Sequence, residues 1–285
     1  MQTLLQPAYA KINLILYVTG RRTDGYHTIE TIMQSLSLHD DVTVTLSPGQ
    51  AAIQLTCSNP ALPTDTTNLA YKAAALFYKT VAIPTPNCEI HLEKRIPLAA
   101  GLAGGSADAA AVLHALNKLH QTALSQDTLC QIGLQLGADI PYCICGGTMF
   151  AQGIGEILSP LTSLPSCWMV LCKPDFSIST VEAYRAIDSQ PLPAQTYTAD
   201  MRRAIAEGNL EKICRYLSND LEKVAPQQQE IAEIKTILRK SGALGALMSG
   251  SGPTVFGIFS TQAQAEKGAQ ALRTRWHDVF LTHTV

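Results

Sequence analysis

Three short stretches of the chain carry residue types at spacings that can do chemistry. Pro97-Leu98-Ala99-Ala100-Gly101-Leu102-Ala103-Gly104-Gly105-Ser106-Ala107 runs three glycines and a serine directly into an alanine-rich helical segment. Gly101, Gly104 and Gly105 lack a Cβ, so backbone N–H groups there can turn toward an anion, and the helix that follows adds its unpaired first amides and the positive end of its dipole. The stretch is either a phosphate cradle or a glycine-rich strand-to-helix connection, and glycines alone do not separate the two. Lys11 and Asn13 stand two residues apart on an alternating run from Ala8 to Val18. They therefore share one side of a strand, which faces either water or an anionic partner. Asp139, within Gly137-Ala138-Asp139-Ile140-Pro141, reads as lying between a helix C-terminus and an apolar strand. That is the negative end of a helix dipole, where an aspartate is either a solvated turn cap or a carboxylate kept for a task.

These side chains need elements to hold them. Alternation over Cys88–Leu92 predicts a strand that delivers Lys94 and Arg95 to the mouth of the glycine-rich stretch, either to meet a nucleotide or to end in solvent. Helical spacing predicts helices over 70–81, from Ser106 to about Leu119, and from Ser125 to Leu136. Val42–Leu46 and Ile53–Cys57 read as an antiparallel pair around Ser47-Pro48-Gly49. Asp24-Gly25 makes a turn that leaves Tyr26 and His27 at a loop tip or strand start. From Cys167 onward the pattern is strand, helix, strand, strand, helix, strand with helices inserted, which points to a layered α+β half. Ser179 to Glu182 is a capping box opening one helix, Gln190 to Gln195 a proline-containing loop, and Ser249-Gly250-Ser251-Gly252 a second glycine-rich turn between two strands.

Composition narrows the class. With 285 residues, 46% of them apolar, the chain can bury a sizeable core and divides most simply into two domains, 1–160 and 161–285. A net charge of −2 supplies no basic field, so nucleic acid and anionic membrane are not expected partners, and an anionic ligand must be held locally. No apolar run reaches bilayer length and no leader pattern opens the chain, so a cytoplasmic location is expected. Eight cysteines sit mostly in apolar segments without zinc-ligand spacing and read as reduced, buried thiols. Cys143 and Cys145, the only close pair, suit a strand face. Neither glycine-rich stretch has the Walker A spacing, and neither protein-kinase signatures nor a nucleophile elbow are present.

Taken together, Pro97 to Ser106, a lysine on an N-terminal strand and the late Gly250-Ser251-Gly252-Pro253 turn resemble the three ordered motifs of the galactokinase, homoserine kinase, mevalonate kinase and phosphomevalonate kinase superfamily. Within it, Pro7-Ala8-Tyr9-Ala10-Lys11-Ile12-Asn13-Leu14, the run from Gly20 to His27 and Gly137 to Pro141 are similar to the branch that phosphorylates a cytidine-diphosphate derivative of methylerythritol in non-mevalonate isoprenoid synthesis. Ala103 departs from a common third glycine, a change that a negative φ would accommodate. The resemblance implies an α+β, two-domain kinase fold: an N-terminal ATP-binding domain of ribosomal S5 domain 2 type, a ferredoxin-like C-terminal sandwich, and a cleft between them. It implies Asp139 as the base that takes the acceptor's proton and Lys11 as the lysine that keeps it ionised and stabilises the alkoxide. Pro97 to Ala107 would wrap the ATP phosphates with Ser106 near Mg²⁺, and Asn68 and Lys94 would contact the nucleotide. Tyr26 and His27 would bind cytosine, Tyr184 would supply its opposite stacking face, and Asn13 would face the acceptor. Ser249, Gly250, Ser251 and Gly252 would close over the transferred group or the acceptor diphosphate. The partners implied are ATP and the small-molecule acceptor, with the protein a monomer or weak homodimer. The alternatives are another small-molecule kinase of the superfamily or a non-catalytic nucleotide- or nucleic-acid-binding module.

Overall fold

The computed structural model describes residues 1–190 and 195–285, so most of the proline-containing loop expected over 190–195 lies outside the described residues. In chain order the first elements are β1 (Gln2–Arg21), β2 (His27–Ser47), β3 (Ala52–Cys57), α1 (Leu69–Val81) and β4 (Asn87–Glu93). Next come α2 (Gly104–Leu119), α3 (Gln126–Leu134), α4 (Ile140–Cys145), β5 (Thr148–Gln152), β6 (Ile157–Pro160), β7 (Trp168–Lys173) and α5 (Thr180–Ile187). The last are α6 (Thr198–Ala206), α7 (Leu210–Arg215), β8 (Ser218–Asn219), α8 (Gln228–Lys240), β9 (Gly245–Met248), β10 (Val255–Phe259), α9 (Gln262–Arg273) and β11 (Asp278–His283). Two compact units emerge: Met1–Ala10, His39–Ile96 and Ala103–Gly146 form the first, and Lys11–Leu38, Pro97–Leu102 and Gly147–Val285 the second. Residues 160 and 161, where the sequence reading draws its boundary, both fall in the second unit.

In the first unit β4 pairs antiparallel with β2 from Asp41↔Glu93 to Ser47↔Asn87 and parallel with β3 from Ala52↔Asn87 to Cys57↔Leu92. The expected antiparallel pair between β2 and β3 therefore does not form: β4 inserts between them. Alternation specifies which face is buried but not which strand is the neighbour. The sheet and helices bury one core, in which Ala70, Ala73, Ala74 and Phe77 of α1 join Ala107, Ala110, Val112 and Leu113 of α2. Asn68 starts α1 by accepting from the Ala70 amide at 2.9 Å. Helix α2 begins two residues earlier than Ser106, with Ala103 as its cap at φ 58° and no side-chain cap bond. The negative φ that would accommodate an alanine at 103 is not adopted: the residue sits in the left-handed region, which disfavours an L side chain by roughly 1–2 kcal/mol. The segment after Asp139 is a helix, not a strand. Pro141 in its first turn pre-sets a helical φ, so Asp139 occupies the favourable, positive end of the α4 dipole, and Cys143 and Cys145 lie on a helix.

The second unit contains a four-stranded antiparallel sheet in the order β11-β7-β10-β9. With α8 and α9 in the two crossovers, this is the ferredoxin-like arrangement expected for the C-terminal half. Its core gathers Ile234 and Leu238 of α8, Phe259 of β10, Leu272 of α9 and Trp276 just after that helix. In the same unit β5 pairs with β2 over Thr31–Gln34 and with β6, while β8 runs parallel beside β1 through Ile15↔Ser218 and Leu16↔Asn219. The capping box holds as read, with Ser179 accepting from the Glu182 amide at the start of α5. Among the described residues no helix is long and apolar enough to cross a membrane.

Candidate active site

Strand β1 is flanked in the second unit, and Lys11 and Asn13 are only 5% and 3% exposed, which removes the solvated-edge alternative. A buried ammonium must be supplied with acceptors. The Lys11 Nζ donates to Asn13 Oδ1 at 2.8 Å, the Asn13 amide donates to Thr31 Oγ1 at 2.8 Å, and the Thr31 hydroxyl donates to the Ile15 carbonyl at 2.6 Å. This directional chain fixes where the ammonium sits. The Lys11 backbone N–H also donates to the Leu102 carbonyl at 3.1 Å, which ties the glycine-rich stretch to the same strand.

Two glycines close the surroundings of Nζ. A Cβ on Gly101, at φ +73°, would lie 2.3 Å from the Ser249 carbonyl oxygen, so only glycine allows the two backbones to touch. The Ser249 hydroxyl donates to the Gly101 carbonyl at 3.0 Å across the same contact. A Cβ on Gly250, at φ +57°, would lie 3.4 Å from Lys11 Nζ, 3.3 Å from Asn13 Oδ1 and 3.2 Å from the Gly101 carbonyl. The Asn219 amide donates to the carbonyls of Met248 and Gly250, both at 2.8 Å, and Ser251 meets Thr180 of α5 at 3.0 Å. The β9–β10 turn, one reading of which was a plain hairpin connection, is thus anchored at both ends against Lys11 and Asn13. Thr31 and Asn219 escape sequence reading, because a threonine and an asparagine in strands carry no local signal of what they bind.

His27, Tyr184 and Asp188 form a second cluster in this unit. The His27 ring stacks on Tyr184 with centroids 5.2 Å apart and 25° between planes, and its Nε2 meets Asp188 Oδ1 at 2.6 Å. Arg21 adds an ion pair to Asp188 at 3.2 Å. The hydrogen bond to His27, with Arg21 beside it, holds the Asp188 carboxyl below the usual range. A ring inserted between two others needs about 7 Å, two van der Waals thicknesses. His27 and Tyr184 therefore do not sandwich a base as they stand, whereas Tyr26 is 61% exposed.

In the first unit the N-terminus of α2 offers the amides of Gly104, Gly105 and Ser106 with no side-chain cap, which suits phosphate oxygens. Lys94 Nζ lies beside that end, 3.7 Å from where a Cβ on Gly104 would stand, but not as a free cation. Its side chain is 3% exposed and its Nζ pairs with Asp40 and, at 2.5 Å, with Asp108 of α2. Burial alone would push the ammonium down, but the two carboxylates outweigh it and raise it. Burial pushes the Asp108 carboxyl up to about 7 against the pull of Lys94, and its Oδ1 is buried without a hydrogen-bond partner. Asp40 Oδ1 accepts from the amides of Arg95 and Ile96 at 2.5 and 2.8 Å. Asn68 is likewise engaged locally, its amide donating to the Pro63 carbonyl at 2.8 Å while its oxygen caps α1. Among the described residues no group of three or more His, Cys, Asp or Glu is placed to hold a metal ion. A magnesium ion carried by phosphates needs only one or two protein oxygens, and the Ser106 position in the first turn of α2 fits that role.

A glycine-rich stretch running into an uncapped helix N-terminus, a buried lysine and an anchored glycine turn are features that suit a small-molecule kinase of the GHMP type, and the comparisons show that class. Residues 68–147 match the GHMP kinases N terminal domain and residues 201–278 the GHMP kinases C terminal domain. The chain is 45% identical to the 4-diphosphocytidyl-2-C-methyl-D-erythritol kinase of Clostridium botulinum (strain Alaska E43 / Type E3) over 98% of its own length and 99% of the relative's. It is 45% identical to the kinase of the same name from Desulfitobacterium hafniense (strain Y51), covering 98% and 94%. A crystal structure of 4-(cytidine 5'-diphospho)-2C-methyl-D-erythritol kinase superposes with a TM-score of 0.84 at 34% identity, covering 99% of both chains. A crystal structure of L. major mevalonate kinase, at 18% identity and a TM-score of 0.78, shares the fold. The chain belongs to the 4-diphosphocytidyl-2-C-methyl-D-erythritol kinase family.

Proposed function

We propose that this protein transfers the γ-phosphoryl group of ATP to the 2-hydroxyl of 4-diphosphocytidyl-2-C-methyl-D-erythritol, giving the 2-phosphate and ADP in non-mevalonate isoprenoid synthesis. The observation that carries the reading is the buried Lys11 ammonium, oriented by Asn13 and Thr31 and faced by the Gly250 turn, in a chain matching kinases of that name over nearly its whole length. Asp139 takes the hydroxyl proton as the oxygen attacks phosphorus. Lys11 stabilises the negative charge that develops on that oxygen and on the phosphoryl group. The α2 amides of Gly104, Gly105 and Ser106, with the loop from Pro97 to Ala107, bind the ATP phosphates, and Ser106 contributes an oxygen to the Mg²⁺ that travels with them. The ion neutralises phosphate charge. Lys94 and Asn68 serve the nucleotide by position, Lys94 through Asp108 of α2 and Asn68 through the start of α1. Tyr26 and His27 bind the cytosine, with Tyr184 moving off His27 if it is to share the ring. Asn13 and Ser249 to Gly252 face the rest of the acceptor.

The test is a coupled ADP-release assay with Mg²⁺-ATP and candidate acceptors side by side. ADP is expected with the cytidylylated acceptor; release with mevalonate or homoserine and none with that acceptor would reject the assignment. Asp139→Asn is expected to lose on the order of 10² to 10⁴ in turnover with ATP affinity little changed. Near-normal turnover would leave Asp139 a structural residue.

A further inference from the structure

The fold regroups the cysteines. Cys143 and Cys145 are close in sequence, yet Cys145 at the end of α4 meets Cys130 of α3, with the sulfurs 3.7 Å apart. Gly133 explains the approach. It lies one turn beyond Cys130 on the same face of α3, and a Cβ there would fall 2.5 Å from Ile140 Cγ2 and 3.0 Å from Ile144 Cδ1 of α4. The two helices come closer than any side chain at 133 would permit, and this brings the thiols together. Cys130 Sγ also lies 3.6 Å from the Pro141 carbonyl. Both cysteines are half-buried, within reach of a small oxidant, whereas Cys88, Cys167, Cys172 and Cys214 are buried, and burial pushes each of those four thiols up. The Pro141 carbonyl accepts the Cys130 thiol proton and so keeps that sulfur protonated, while contact with Cys130 holds the Cys145 thiol below its ordinary value, so Cys145 is the attacking sulfur of the pair.

We propose that Cys130 and Cys145 are an oxidisable pair, converted by hydrogen peroxide into an intramolecular disulfide that ties α3 to α4. The Cys145 sulfur attacks one peroxide oxygen and the O–O bond breaks, leaving a sulfenic acid and one water. The Cys130 sulfur then displaces the hydroxyl from Cys145, the S–S bond forms and a second water leaves, so that two thiols surrender two electrons and two protons to one peroxide. A disulfide needs sulfurs about 2 Å apart, so the pair must close. Helix α4 is a six-residue piece with Asp139 at its head, and it takes up the movement. On the reading of Asp139 as the base, closure displaces the base and slows turnover.

The test treats the full-length reduced protein with hydrogen peroxide, alkylates it, and maps the peptides by mass spectrometry. A Cys130–Cys145 cross-linked peptide released by dithiothreitol is expected, with ADP release falling several-fold and recovering on reduction. Cys130→Ser and Cys145→Ser should each abolish the cross-link, and Cys130→Ser should keep its turnover through the treatment. Reduced protein that turns over but yields no such peptide, or pairs Cys145 with Cys143, overturns the proposal. A cross-linked enzyme of undiminished turnover overturns its hold on α4. Reduced protein that releases no ADP, with the cross-link still forming, would fail the kinase reading and leave the thiol pair standing.

Discussion

Lys94 permits a quantitative test, because the cluster around it holds one cation and two carboxylates in the dry interior of the first unit. Asp40, Lys94 and Asp108 are all nearly inaccessible, with side-chain exposures of 0%, 3% and 3%. Lys94→Met keeps the length of the side chain and removes the charge. Breaking a buried pair by deleting one partner costs about 3–5 kcal/mol, since the other partner is left uncompensated. Asp108 softens that cost, because its carboxyl is already pushed up to about 7 and can take a proton near neutrality at little expense. The lower end, about 3 kcal/mol, is therefore expected, which for a chain of this size lowers Tm by roughly 6–12 °C.

The pH dependence has a definite sign. Between the ordinary carboxyl value of 3.8 and about 7 the folded chain holds a proton on Asp108 that the unfolded chain has released. Stability from this group is thus complete at low pH and falls as pH rises through that window, by at most about 1.4 kcal/mol per pH unit. Asp108→Asn keeps a carbonyl for Lys94 and removes the surplus charge. It should melt within about 1 kcal/mol of wild type at pH 7 and show a shallower decline from pH 5 to 8. For Lys94→Met the deficit should be largest at pH 8 and narrow toward pH 5, where Asp108 is protonated with or without the lysine. Thermal melts across that range, paired with the KM for ATP, decide the matter. An unchanged Tm at pH 8 together with a sharply raised KM would mean that the ammonium serves the phosphates directly, and the structural role assigned to it would be wrong.

Three further substitutions probe the second unit. Gly101→Ala places a Cβ 2.3 Å from the Ser249 carbonyl at a φ of +73°, so a loss on the order of 1–3 kcal/mol in stability and a marked fall in turnover are expected from melts and ADP release; wild-type values for both would mean that the two backbones need not touch. Tyr26→Ala and Asp188→Asn should each raise the acceptor KM on the order of 10-fold, the worth of one stacking or positioning contact, and leave that for ATP alone. An equal rise for both substrates would make these residues general supports of the fold.

Where local signals act alone, the sequence is legible. Ser179 caps α5 as its capping box predicts, and the apolar spacing over 70–81 becomes α1 within a residue at its start. Where a distant partner decides, it is not. The Ala103 backbone takes φ 58° because tertiary context overrides the local preference of alanine. The six residues after Asp139 are too few for periodicity to tell helix from buried strand, so the apolar run passed for a strand until Pro141 and the flanking glycines are weighed together. Lys94 reads as a cation beside a glycine loop, yet its partner Asp40 lies 54 residues away and Asp108 is hidden in an alanine-rich helix. Charge count near a loop says nothing about whether the charge is already spent.

The same reasoning explains why Lys11 and the glycines at 101 and 250 belong to one constraint. A lysine on a buried strand is costly unless acceptors hold it, and a flexible four-carbon stem would let its ammonium wander unless those acceptors are themselves oriented. Asn13 donates through its amide nitrogen to Thr31, which turns Oδ1, its only acceptor, toward Nζ, and Thr31 can accept that amide because its own proton goes to the Ile15 carbonyl. Each donor in the chain therefore fixes the next. With Nζ so placed, the chain crossing in front of it must carry no side chain there, which is the condition met at Gly250, and the stretch behind that turn must approach its backbone within contact, which is the condition met at Gly101. Gly250→Ala would set a methyl 3.4 Å from the ammonium and 3.3 Å from its acceptor, so only glycine leaves the space in front of Nζ open.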